Sequence, residues 1–98
     1  MEDFVKLLEE LYSSNNEVSE DENGVDKYFI TSDKSSLAYK AEEEACGYLI
    51  TNEGTCNWKQ IWKLRDSGYD VFAGDEDSFG WLTGCIRKHG DDRILVYG

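Results

Sequence analysis

The 98 residues contain no proline and a single histidine, His89. Turns are therefore left to Gly, Asn, Asp and Ser. Long apolar runs are missing too: none approaches the ~20 residues that a helical membrane span needs. The N-terminus, MEDFVKLLEELY, is acidic and amphipathic, without the basic start and unbroken apolar block of a secretory signal. The chain reads as a complete, untargeted cytoplasmic product. Its three cysteines, Cys46, Cys56 and Cys85, are odd in number and lack framework spacing. That predicts reduced thiols, not disulfides. No C-x-x-C occurs, and among the cysteines and His89 only Cys85 and His89 are spaced as a ligand pair, so no metal or other cofactor is expected. No internal repeat is present.

Bases are scarce as well. Ten Lys and Arg face twenty-one Asp and Glu, a net charge of −11. The excess is uneven: −7 over residues 1–24, −3 over 25–54 and −1 over 55–98. Such a field repels nucleic acid and anionic membranes and attracts basic surfaces. Direct nucleic-acid binding and membrane binding are accordingly not expected.

What is present is enough apolar material for one folded domain spanning 1–98. The apolar fraction is 40%, with three Trp, six Tyr and four Phe. Phe4, Leu7, Leu8 and Leu11 form one helical stripe, predicting a helix over 2–12. Residues 13–24, SSNNEVSEDENG, predict an acidic, mobile loop. The β-branched and aromatic run at 27–31 predicts a strand. Leu37, Ala41 and Ala45 are spaced for a helix over 35–46, although Leu37, Tyr39 and Ala41 also alternate as in a strand. Gly47 would cap that helix before a short strand, Tyr48–Thr51. NWKQIWKLRDSG is the clearest helix, with Asn57 and Gln60 at capping-box spacing and Gly68 at its end. Trp58, Ile61, Trp62 and Arg65 share a face, and the tryptophans are read as core, packing the helix on a sheet. Strands at 69–73, 79–87 and 93–97 complete an antiparallel meander. The class is α+β: about three helices packed on an antiparallel sheet with a C-terminal three-stranded meander.

GDEDSFGWLTG, from Gly74 to Gly84, is the one stretch that invites a metal reading. Asp75, Asp77 and Gly80 fit positions 1, 3 and 6 of a calcium loop. Phe79 and Ile86 then fall where an oxygen ligand and a bidentate Glu are required, and the flanks read as strands. The acids are better placed at a solvated hairpin tip. Gly80 and Gly84 become strand positions beside a bulge, a bend or a close backbone neighbour. No phosphate-binding loop feeds a helix here. His89 sits beside Gly90 in a turn, and nothing supplies an oxyanion site for a Cys85–His89 nucleophile pair. Abundant carboxylates in polar runs do not mark a catalytic pair with two environments. The chain is read as a non-enzyme.

Three acidic triplets remain: Glu20, Asp21 and Glu22; Glu42, Glu43 and Glu44; Asp75, Glu76 and Asp77. Gathered on one face they would oppose the Lys and Arg track of a nucleic-acid-binding protein, since duplex DNA presents about one charge per 1.7 Å of axis. In size, charge and triplets the chain resembles, at the level of class alone, the small acidic inhibitors carried by phages and mobile elements. These include nucleic-acid mimics of the anti-restriction and anti-CRISPR type and toxin-immunity proteins. The implied partner is a basic protein, a nucleic-acid-binding protein or nuclease of the host cell, met at the nine triplet residues. The alternative is an interaction or assembly module whose acids only solubilise it, self-associating through a sheet edge such as Arg93–Tyr97.

Overall fold

The N-terminal apolar stripe forms helix α1, Glu2–Ser13, in a computed structural model that describes residues 2–76 and 82–98. Phe4, Leu8, Leu11 and Tyr12 are buried along it. The segment expected as a loop contains a short strand, β1 (Val18–Glu20), because Val18 packs against the core and pairs with Phe29 of β2 (Lys27–Phe29). Helix α2 spans Leu37–Leu49, and the Ser36 side chain caps it by accepting from the Tyr39 N–H at 3.1 Å. It runs through Gly47 and replaces most of the strand expected at 48–51; only an isolated bridge, Ile50 to Cys56, remains. Ala38, Ala41, Ala45 and Leu49 keep one buried stripe going past the glycine. Burying Leu49 is worth about 1.5–3 kcal/mol, which exceeds the ~1 kcal/mol cost of a helical glycine.

Helix α3, Trp58–Asp66, buries Ile61 and Leu64. Asn57 makes no side-chain capping bond, so the expected capping box is not formed. The stop at Gly68 is: its φ is 97°, and its N–H reaches the Arg65 carbonyl at 3.2 Å. Strands β3 (Tyr69–Glu76), β4 (Leu82–Lys88) and β5 (Arg93–Tyr97) then form the antiparallel meander. The residues expected to start the middle strand, 79–81, lie outside the described residues.

The five strands form one sheet in the order β1-β2-β5-β4-β3. The pairing of β2 with β5 is parallel, so the sheet is mixed and not purely antiparallel. It also places β5 in the centre, with neighbours on both sides, so Arg93–Tyr97 is no edge for self-association. The α+β class stands. Buried strand residues Phe29, Tyr69, Val71, Ile86, Leu95 and Tyr97 join the three helices in one core. By strand alternation Phe72, Cys85 and Val96 point to the opposite, open face. Gly84 lies on the core side, where a Cβ would meet the Tyr97 hydroxyl and the Phe72 carbonyl.

Arg93 ties α1 to the sheet. Its guanidinium donates to the Tyr12 carbonyl at 2.6 Å and the Ser14 carbonyl at 3.2 Å, and pairs with Asp91 at 2.7 Å. It lies 5.4 Å from the Tyr12 ring centre and 5.2 Å from that of Phe29. A cation thus reaches the carbonyl end of α1, whose own last turn has no base. The Tyr12 hydroxyl donates to the Ile86 and Arg93 carbonyls at 2.9 and 3.1 Å. Burial pushes its phenol pKa up. Among the described residues, no helix is long and apolar enough to cross a membrane.

Candidate partner-binding surfaces

The first triplet lies at the end of β1. Glu20 stands opposite Lys27, and Asp21 opens a turn closed by Gly24 at φ 68°. The Asp21 carboxylate accepts the Val25 N–H at 2.8 Å, so it shapes the turn as well as charging it. Lys27 of the neighbouring strand pairs with Asp92 at 2.8 Å, which brings the 91–92 turn to the same corner. The Lys27 ammonium is pushed up by its hydrogen bond to Asp92 and then by the charges of Asp92, Glu20 and Asp91. Asp92 is held below the usual carboxylate range by Lys27, and Asp91 by Arg93. Asp26, which accepts from the Tyr28 hydroxyl at 3.3 Å, belongs to the same corner. Here six acids, Glu20, Asp21, Glu22, Asp26, Asp91 and Asp92, outnumber two cations; Lys27 pairs with Asp92, and Arg93 pairs with Asp91 and is turned inward against α1.

The second triplet sits on α2. Glu43 and Glu44 are exposed and Glu42 is half-buried. Burial and, after it, the charge of Glu43 push the Glu42 carboxyl up. Glu44 shares a shallow groove with Lys6, Leu7 and Glu10 of α1. In the third triplet, Asp75 and Glu76 belong to β3, which runs on into the stretch expected as a hairpin tip, with a register shift between Ala73 and Glu76. Asp77 lies outside the described residues, as do Phe79, Gly80 and Trp81. Strands β2 and β3 run in the same direction. Glu20 faces the start of β2 on one edge strand and Glu76 ends the other, so these two residues stand at diagonal corners of the sheet.

The surface that sequence reasoning missed is aromatic. Trp58 and Trp62 are 53% and 57% exposed, not core, and Phe72 is 52% exposed. The helix has two possible apolar stripes; Ile61 and Leu64 take the interior, and the tryptophans are rotated outward. The signal was there in the pair Ile61–Leu64 at i, i+3 spacing, whose wholly apolar, compact side chains fill a core without stranding an indole N–H.

The cysteines are free and half-buried. Burial pushes the Cys85 thiol up, the reverse of what a nucleophilic thiolate requires. His89 is exposed in the β4–β5 turn, with Nε2 2.9 Å from Asp70 Oδ1. Among the described residues, no group of three or more His, Cys, Asp and Glu is arranged to hold a metal ion. Comparison with family models, curated proteins and solved structures returns no match.

Proposed function

We propose that the chain is a non-catalytic acidic binding protein that occupies the basic, nucleic-acid-binding surface of a partner protein. The supporting observation is the corner of β1 and β2. Among the described residues none of Glu20, Asp21, Glu22 and Asp26 makes an ion pair, while Asp91 and Asp92 sit behind them. A groove of Lys and Arg that normally meets phosphates would meet carboxylates fixed on a sheet edge. The mechanism is steric and electrostatic competition, in which no bond is made or broken. Long-range attraction speeds encounter and sets register. Contact centres on Glu20, Asp21, Glu22 and Asp26; Glu42–Glu44 and Asp75–Asp77 lend their charge to the field.

Glu20→Gln, Glu22→Gln and Asp26→Asn together test this, sparing Asp21 because it closes the turn. A partner captured from host lysate at low salt should bind the triple variant about tenfold or more weakly, a loss of at least ~1.4 kcal/mol. Duplex DNA should displace the wild-type chain from it. A partner that holds DNA and the chain together, with affinity indifferent to salt and to the substitutions, would refute the proposal. The second reading, an interaction or assembly module, is favoured by a separate observation, the exposure of Trp58, Trp62, Phe72 and Val96.

A further inference from the structure

Large apolar side chains are left exposed at five described positions: Val25, Trp58, Trp62, Phe72 and Val96. Four of them follow one path. Trp58 and Trp62 lie one turn apart on the exposed side of α3, in the same helical stripe as Arg65. Arg65 makes the junction: its guanidinium lies 4.9 Å from the Trp62 ring centre and donates to the Val71 carbonyl at 2.8 Å. The next residue, Phe72, turns to the open face of the sheet, where Cys85 stands opposite it and Val96 opposite Cys85. Half-exposing three such aromatics leaves about 300 Å² of apolar surface, the size of a functional patch on a small protein.

The segments that carry this strip are opposite in sign to the chain as a whole, up to the acids Asp75 and Glu76 further along β3. Residues 58–72 and 83–89 hold five bases, Lys59, Lys63, Arg65, Arg87 and Lys88, against two acids, Asp66 and Asp70. The complement is found at the other edge of the sheet. There the fifth exposed apolar residue, Val25, is 71% exposed and stands in sequence among Asp21, Glu22 and Asp26. One surface is aromatic and basic; the other is an apolar knob among acids.

We infer that the strip of Trp58, Trp62 and Phe72 docks a second copy of this chain, taking the Val25 turn of that copy against the aromatics and its carboxylates against Lys59, Arg65 and Arg87. The two surfaces belong to opposite edge strands, β1 and β3. The contact is therefore heterologous, head to tail, and extends into open chains instead of closing a symmetric dimer. It also occupies the corner assigned above to the partner, so partner and second copy exclude one another. The docking does not depend on that assignment, which fails or stands on the DNA competition alone.

A mixing experiment tests it. One variant carries Trp58→Ser and Trp62→Ser; the other carries Val25→Ser with Glu22→Lys. Unchanged melting temperatures verify that both remain folded, as expected for exposed positions. In sedimentation equilibrium the wild type should grow in average mass with concentration, and each variant should self-associate about tenfold or more weakly. An equimolar mixture should form a species of twice the monomer mass and nothing larger, because each variant keeps one intact surface. A wild type that stays monomeric up to millimolar concentration, a mixture without the dimer, or wild-type assembly unaffected by either variant would overturn the inference. Quenching of the tryptophans by oligo-dT in a chain that remains monomeric would overturn it too, by assigning the strip to single-stranded nucleic acid.

Discussion

Arg93→Ala should be the most damaging single substitution of a charged residue in this domain. The guanidinium makes two bonds to the end of α1, at 2.6 Å to Tyr12 and 3.2 Å to Ser14, and one ion pair at 2.7 Å to Asp91. The two side chains of that pair are only 19% and 20% exposed, so solvent replaces little of what is lost. Hydrogen bonds to a charged group contribute roughly 1.5–3 kcal/mol each. They are not additive when one side chain makes them all, and residual solvent contact discounts the ion pair. The Asp91 carboxylate also keeps the Arg93 backbone N–H at 2.9 Å in the alanine variant. The expected loss is therefore about 3 kcal/mol, or roughly 12–24 °C in melting temperature for a domain of this size. Arg93→Lys keeps the charge but not the planar fork, and should lose about 1–2 kcal/mol. Urea unfolding of the three proteins, followed by far-ultraviolet circular dichroism, gives both numbers. If Arg93→Ala unfolds within 0.5 kcal/mol of the wild type, the clamp is not what joins α1 to β5.

Two further outcomes follow from the same geometry. Gly84→Ala should destabilise the fold by about 1–3 kcal/mol, because the new methyl must displace the Tyr97 ring or the Phe72 backbone; a melting temperature equal to that of the wild type would show that the β4–β5 contact is looser than described. Acid should weaken the domain as the pH falls from about 4, the ordinary carboxylate value. Asp33, Asp91 and Asp92 all have folded pKa values below their ordinary ones, so the stability they confer is complete above the unfolded pKa and is lost as the pH falls through the folded one. Glu42 acts in the opposite sense, because its raised carboxyl favours the fold only while protonated. The urea midpoint measured from pH 7 to pH 2 should therefore decline in the acid range, and a midpoint that rises below pH 4 would contradict this sign.

By itself the sequence determined what depends on neighbours along the chain. Phe4, Leu7, Leu8 and Leu11 lie within two turns of one another, so their stripe dictates α1 wherever it packs. Gly68 ends α3 because the left-handed conformation needed there suits glycine. In the meander of β3, β4 and β5 each strand finds the next beside it, and a short polar turn joins β4 to β5. The acids at 20–22 were legible as charge in a polar run, which gave the exposure of Glu20 and Glu22, whereas Asp21 is half-buried. Tertiary structure decided everything that joins distant segments. The parallel pairing of β2 with β5 spans α2, α3, β3 and β4, and no local pattern encodes it. That pairing brings Asp91 and Asp92 to Lys27 and so builds the acidic corner, while the order of strands sends Asp75 and Glu76 to the far side. The same holds for Arg93, an ordinary strand residue in sequence that becomes the cap of α1 only when β5 passes beneath it. Trp58 and Trp62 show the limit most plainly. Their hydrophobicity argued for the interior, but a helix packed on one edge of a sheet buries a single stripe, and Ile61 and Leu64 already fill it.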